Sequence, residues 1–152
     1  MNELRDEWIE MAEEEVLAAT TLNPERNARA ICFHCQQCIE FYLKGALLER
    51  GIDPPRIHAL VALNDHLSRL ESRFGELDDD LERLTPHAVL TRYGGPRPAP
   101  EKAREALRTM HQLRASIRSF MGLPDGLDVP TDNQPTASEG TPCPNCSPES
   151  QL

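Results

Sequence analysis

An all-α antiparallel up-and-down bundle is the fold that this 152-residue sequence predicts, on three observations. Apolar residues recur at spacings of three and four through most of residues 1–121, the period of helices with one face in a core. Asparagine, proline and glycine fall where those patterns start and stop. No stretch shows the strict apolar-polar alternation of a half-buried strand. Four long helices and one short one account for residues 1–121. Residues 122–152 carry six prolines and few large apolar side chains, too little buried surface to offset the entropy of ordering, and are expected to form a disordered acidic tail.

Asn2 caps the first predicted helix, which places Trp8, Met11, Ala12, Val16 and Ala19 on one face. Asn23 caps the second, with Pro24 in the first turn, and Gly51 ends it ahead of Pro54 and Pro55. At ~1.5 Å per residue this helix is roughly 40 Å long. Leu60, Leu63, Leu67, Leu70 and Phe74 give the third helix its apolar stripe. Leu77, Leu81 and Leu84 give a short fourth one that Pro86 ends or kinks. After the turn-rich segment "TRYGGPRPAP", Pro100 opens the last helix, which buries Ala103, Ala106, Met110, Leu113, Ile117 and Phe120.

The net charge is -9, and all five charged residues after Met121 are acidic. No apolar run is long enough to span a bilayer, and the N-terminus is acidic where a secretory signal would be basic. The expectation is a cytoplasmic protein without a membrane contact. Cys32, Cys35 and Cys38 share one helix, where pairing is geometrically poor, and read as reduced apolar fillers. Cys143 and Cys146 have the spacing of half a zinc knuckle, but no second half exists in the chain. Neither a metal nor a cofactor is expected.

Wound at 100° per residue, the second helix places His34 among Ile31, Cys38, Phe41, Gly45 and Leu48, where a lone histidine reads as a hydrogen-bonded core residue. Arg29, Gln36, Gln37, Glu40 and Lys44 gather on another arc, with Glu40 and Lys44 spaced as an i,i+4 ion pair. That stripe is either the wet seam of a central helix or a binding surface. Between residues 92 and 118 lie seven Lys or Arg against Glu101 and Glu105 alone. Arg104, Arg108, His111 and Arg118 share an arc of the last helix, with Arg114 at its edge and Arg92 and Arg97 in the loop before it. Such a row can follow a phosphate backbone, lie solvated, or pair with Asp78–Glu82.

The order "CFHCQQCIEFYLKGALLERG", then "HALVALNDHL", then "RYG", resembles the HEPN family (higher eukaryotes and prokaryotes nucleotide-binding domain) over about residues 1–121. Gln36, Gln37, Glu40, Leu43, Lys44, His58, Leu60, Arg92 and Tyr93 match the family's motifs, while Phe41, Ala59 and Gly94 depart from them. The resemblance implies a four- or five-helix bundle that pairs as a homodimer. It also implies a toxin-like role beside a nucleotidyltransferase-like antitoxin, with nucleotide or RNA as ligand. Ribonuclease members use an Arg-x4-6-His motif late in the bundle. Here Arg92 is the candidate catalytic arginine, yet no histidine follows it within six residues. "RAICFH" spells the motif with Arg29 and His34, but on one helix these side chains point about 140° apart. The candidate nucleotide- or RNA-binding residues are Gln37, Lys44, Arg92, Tyr93, Arg97, Arg104, Arg108 and His111. In a homodimer, two copies of the "TRYGG" loop would form one basic cleft. The second helix supports such pairing, because its apolar arc exceeds what one layer of neighbours covers. The alternative function is a non-catalytic all-α module that binds protein through the stripe of Gln36, Gln37, Glu40 and Lys44.

Overall fold

The computed structural model describes residues 2–85 and 95–125. Arg92, Tyr93 and the Cys143–Cys146 pair lie outside the described residues. Among the described residues five α-helices follow in order: α1 (Glu3–Thr21), α2 (Pro24–Glu49), α3 (Leu60–Leu70), α4 (Asp78–Leu84) and α5 (Pro100–Phe120), with a 3-10 helix at Ser72–Leu77. No strand occurs among the described residues, and the all-α bundle expected from the sequence is the fold observed.

The capping chemistry is where the pattern placed it. Asn2 accepts from the Arg5 amide, and Asn23 accepts from the Glu25 amide, each satisfying an orphan donor of a first turn. Gly51 and Gly122 take positive φ beyond the ends of α2 and α5, a conformation that a side chain would strain. The third helix stops earlier than its stripe suggests. Glu71 is extended, and Phe74 and Leu77 enter the core from the 3-10 turn instead. Asn64 secures that turn by donating from Nδ2 to the Phe74 carbonyl at 2.7 Å and to Asp78 Oδ1 at 2.9 Å. Leu70 is left exposed.

α2 is the axis of the bundle. α1 packs along one flank, α5 along another, and α3 and α4 close the far side. An added Cβ on Gly45 would stand 2.9 Å from Ile9 Cδ1, so the absence of a side chain there lets α1 lie close. Cys32, Cys35 and Cys38 are buried free thiols in this core, and burial pushes the Cys32 thiol up to about 11 and raises those of Cys35 and Cys38 further. With α2 covered by its own chain, its wide apolar arc no longer calls for a second subunit. Met11, expected in the core, is 40% exposed, as are Leu4 and Leu17 to a greater degree, all on the outer side of α1.

Just past α5 the chain turns back on itself. The Leu123 side chain packs against the core, and the Pro124 carbonyl accepts from Arg118 Nε at 3.0 Å and Nη2 at 2.8 Å. The packed unit therefore includes residues beyond Met121, where the tail was expected to begin.

Candidate functional site

Three polar groupings carry the chemistry that the sequence placed on α2 and α5. The first is the polar stripe of α2, which is neither wet nor available. Gln36, Gln37, Glu40 and Lys44 are all buried. The Glu40 carboxylate is their hub. It accepts from Lys44 Nζ at 2.9 Å, from Gln36 Nε2 at 3.1 Å and from Gln37 Nε2 at 3.5 Å, and it contacts His58 Nδ1 at 3.0 Å. Gln36 also donates to the His58 carbonyl at 3.1 Å, fixing the segment before α3. Lys44 Nζ lies 5.5 Å from the Trp8 ring centroid, a cation-π contact that ties in α1. Gln37 and Lys44 are thus members of a buried hydrogen-bonded network around Glu40. The protein-binding reading that relied on this stripe loses its surface.

The second grouping joins α1, α2 and α5. Glu13 accepts from Arg114 Nε at 3.1 Å and Arg118 Nη1 at 2.9 Å, and the Tyr42 hydroxyl donates to it while accepting from Arg118 Nη1 at 2.9 Å. Burial and the bond to Glu13 hold the Tyr42 phenol well above the usual tyrosine range. Arg114 and Arg118 are buried, so they leave the solvent row in which the helical wheel put them. A partner over a hundred residues away in sequence makes this possible. His34, read as a core histidine, is half-buried and bonded to Glu15 at the edge of α1.

The third grouping is the exposed one. Arg97, Arg104, Arg108 and His111 remain near or at the surface, on the approach to α5 and on its first half. Folding adds two residues that spacing alone had not assigned to this face. Arg29 Nη2 donates to the Gly95 carbonyl at 2.8 Å, and Arg97 donates to the Arg26 carbonyl, so the start of α2 lies against the loop leading into α5. Arg26 and Arg29 stand about seventy residues before their neighbours, and no local window brings them together. Among the described residues Asp78–Glu82 do not pair with this row. Glu25 and Glu101 pair with Arg104, and Glu101 also takes Arg108 at 3.1 Å. These side chains are 42–69% exposed, and exposed pairs of this kind contribute ~0–1 kcal/mol each, little enough for a phosphate to displace.

Counting from Arg92 misses a second arginine-histidine spacing. Six residues separate Arg104 from His111, and seven steps of 100° return the helix to within about 20° of its start, so both project from one face. Partial desolvation and the Arg114 cation hold the His111 imidazole below its ordinary range, leaving it neutral near pH 7 with a nitrogen able to accept a proton. Among the described residues no three His, Cys, Asp or Glu side chains converge to hold a metal ion.

The family model described as HEPN domain matches residues 6–119. Neither the curated proteins nor the solved structures contain a match to the chain.

Proposed function

We propose a function from one premise: the chain belongs to the HEPN domain family, whose functions are related to nucleotides and RNA. The protein binds the phosphates of a nucleotide or of single-stranded RNA on the face made by Arg26, Arg29, Arg97, Arg104 and Arg108. The observation that carries this is the meeting of two distant parts of the chain, where Arg29 donates to the Gly95 carbonyl and Arg97 to the Arg26 carbonyl, beside Arg104 and Arg108 paired with exposed acids. Guanidinium groups suit phosphate because their paired N–H donors match two oxygens at once. If the bound RNA is cleaved, the neutral imidazole of His111 is the group able to take the 2′-hydroxyl proton. Arg104 would stabilise charge on the scissile phosphate.

Fluorescence anisotropy with a labelled single-stranded RNA tests the binding. Arg104→Ala/Arg108→Ala is expected to weaken it by roughly tenfold at low salt and to reduce the slope of log affinity against log salt by about 1.4, the value for two single-strand phosphate contacts. Binding unchanged in strength and slope would reject this face. Since His111 is neutral at pH 7, it adds a cation only when pH falls below the ordinary histidine range, and binding should tighten there.

The biological setting belongs to the same proposal: a toxin-like component paired with a nucleotidyltransferase-like antitoxin. The outer side of α1 offers that partner Leu4, Met11 and Leu17 interleaved with Glu3, Glu7, Glu10 and Glu14. Two copies meeting there would oppose like charges, so this helix suits a basic partner surface and a homodimer would use another face. Light scattering at micromolar concentration is expected to give twice 17.1 kDa. A clean monomer would remove any cleft composed of two "TRYGG" loops.

A further inference from the structure

We propose that the face built on Arg104 and Arg108 takes a terminal phosphate, the phosphomonoester of a nucleotide or of an RNA end, in preference to the phosphodiesters within a strand. The inference deepens the phosphate-binding reading and rests on it. Three features of α5 carry it: the spacing of two guanidinium groups, the carboxylate they share, and the shortness of the exposed row.

Arg104 and Arg108 are four residues apart, so their side chains leave one face of α5 from neighbouring turns, ~6 Å apart at Cβ. A guanidinium presents two parallel N–H groups and occupies two oxygens at once. A phosphodiester has only two unesterified oxygens to give. A phosphomonoester has three, so one terminal phosphate takes a forked contact from one arginine and keeps an oxygen for the other.

The two arginines already converge on one anion. Glu101 Oε2 is 3.7 Å from Arg104 Nη1, and Glu101 Oε1 is 3.1 Å from Arg108 Nη2. Glu25, in the first turn of α2, holds Arg104 as well. A phosphate that bridges both arginines takes the place of the Glu101 carboxylate, which stays tethered beside it with its charge. A diester exchanges one negative charge for another and meets that repulsion. A monoester carries about -1.5 to -2 near pH 7 and gains from the exchange. Glu101 is therefore the residue that sets the preference.

The exposed row on this face is short. It runs from Arg104 to His111, seven helical steps or ~10 Å at 1.5 Å each. Beyond His111, Arg114 and Arg118 turn inward to Glu13. α5 thus gathers its exposed arginines at one place and offers no basic track along its second half.

Fluorescence anisotropy of the full chain tests this with one internally labelled oligoribonucleotide in three forms: 5′-phosphate, 3′-phosphate, and hydroxyl at both ends. A phosphorylated end is expected to bind about tenfold tighter than the hydroxyl form at low salt. Arg104→Ala/Arg108→Ala should abolish that ratio. Lowering the pH from about 7.5 to about 5.5 should shrink it, because the monoester regains its second proton near pH 6. Glu101 is 69% exposed, so Glu101→Gln leaves the fold intact. It should raise the affinity of the hydroxyl form about fivefold and narrow the ratio. Adenosine monophosphate that displaces the phosphorylated forms would assign the site to free nucleotides, and an end preference that it does not disturb would assign it to RNA ends. Equal affinity for all three forms would overturn the terminal-phosphate proposal and leave the phosphate-binding face standing. A ratio that survives Arg104→Ala/Arg108→Ala, or that Glu101→Gln does not change, would overturn the arrangement proposed. Failure of every form to bind would reject the phosphate reading and this inference together.

Discussion

Glu40→Gln is expected to lower the stability of the fold by about 3–5 kcal/mol, the usual consequence of removing one partner from a buried ion pair. All four groups around this carboxylate present donors or a ring nitrogen to it: Lys44, Gln36, Gln37 and His58. An amide in its place offers one oxygen to them and turns an NH2 toward the rest. The Lys44 ammonium, only 9% exposed, is then left in the interior without a counter-charge. Urea denaturation of the single variant and of Glu40→Gln/Lys44→Met measures this, and the second variant should recover at least ~1 kcal/mol because the stranded cation is gone. A single variant within ~1 kcal/mol of the parent would show that the network is not held by Glu40.

Glu13→Gln should be nearly as damaging, at about 3 kcal/mol, since one carboxylate serves two buried arginines and a phenol. The lower figure reflects the partial exposure of Glu13 itself, at 30%. Tyr42 reports on this site independently. Its neutral form is favoured in the folded state by burial and by the Glu13 bond, against the opposing pull of Arg118. Stability is therefore complete below the ordinary tyrosine range and declines as pH rises above it, where only the unfolded chain releases the proton. Ultraviolet titration should show Tyr42 resisting ionisation in the parent. In Glu13→Gln it should ionise at lower pH, because Arg118 remains and the bond to the carboxylate does not. A variant whose phenol titrates as in the parent would dissociate Tyr42 from Glu13.

Local chemistry made the helices legible. Asn2, Asn23, Pro24, Gly51 and Pro100 act through neighbours within a few residues, and the apolar periodicities of α1, α2 and α5 need nothing else. The misreadings share one cause. A run of polar residues on one arc, such as Gln36, Gln37, Glu40 and Lys44, ordinarily faces water, and the wheel contains no term for a carboxylate that satisfies the whole run internally. The same holds for Arg114 and Arg118, whose partner Glu13 is in the first helix. For the exposed face the difficulty was reversed: Arg104, Arg108 and His111 were visible as a row, but Arg26 and Arg29 join it only through hydrogen bonds to the loop before α5. Glu71 shows the smallest failure. Its extended backbone breaks an apolar stripe that continues past it, and the contacts that hold it there come from Arg50 at the end of α2.

α2 is not one straight rod. Asn27, at φ -123° and ψ 28°, departs from helical geometry and separates a first turn at Pro24–Arg26 from the long remainder. Glu25 and Arg26 sit on the short side of this break, and the Glu40 hub sits on the long side. A load placed on Glu25 or Arg26 therefore meets the bundle through Asn27, whereas one placed on Arg29 bears directly on the long segment that also holds Glu40.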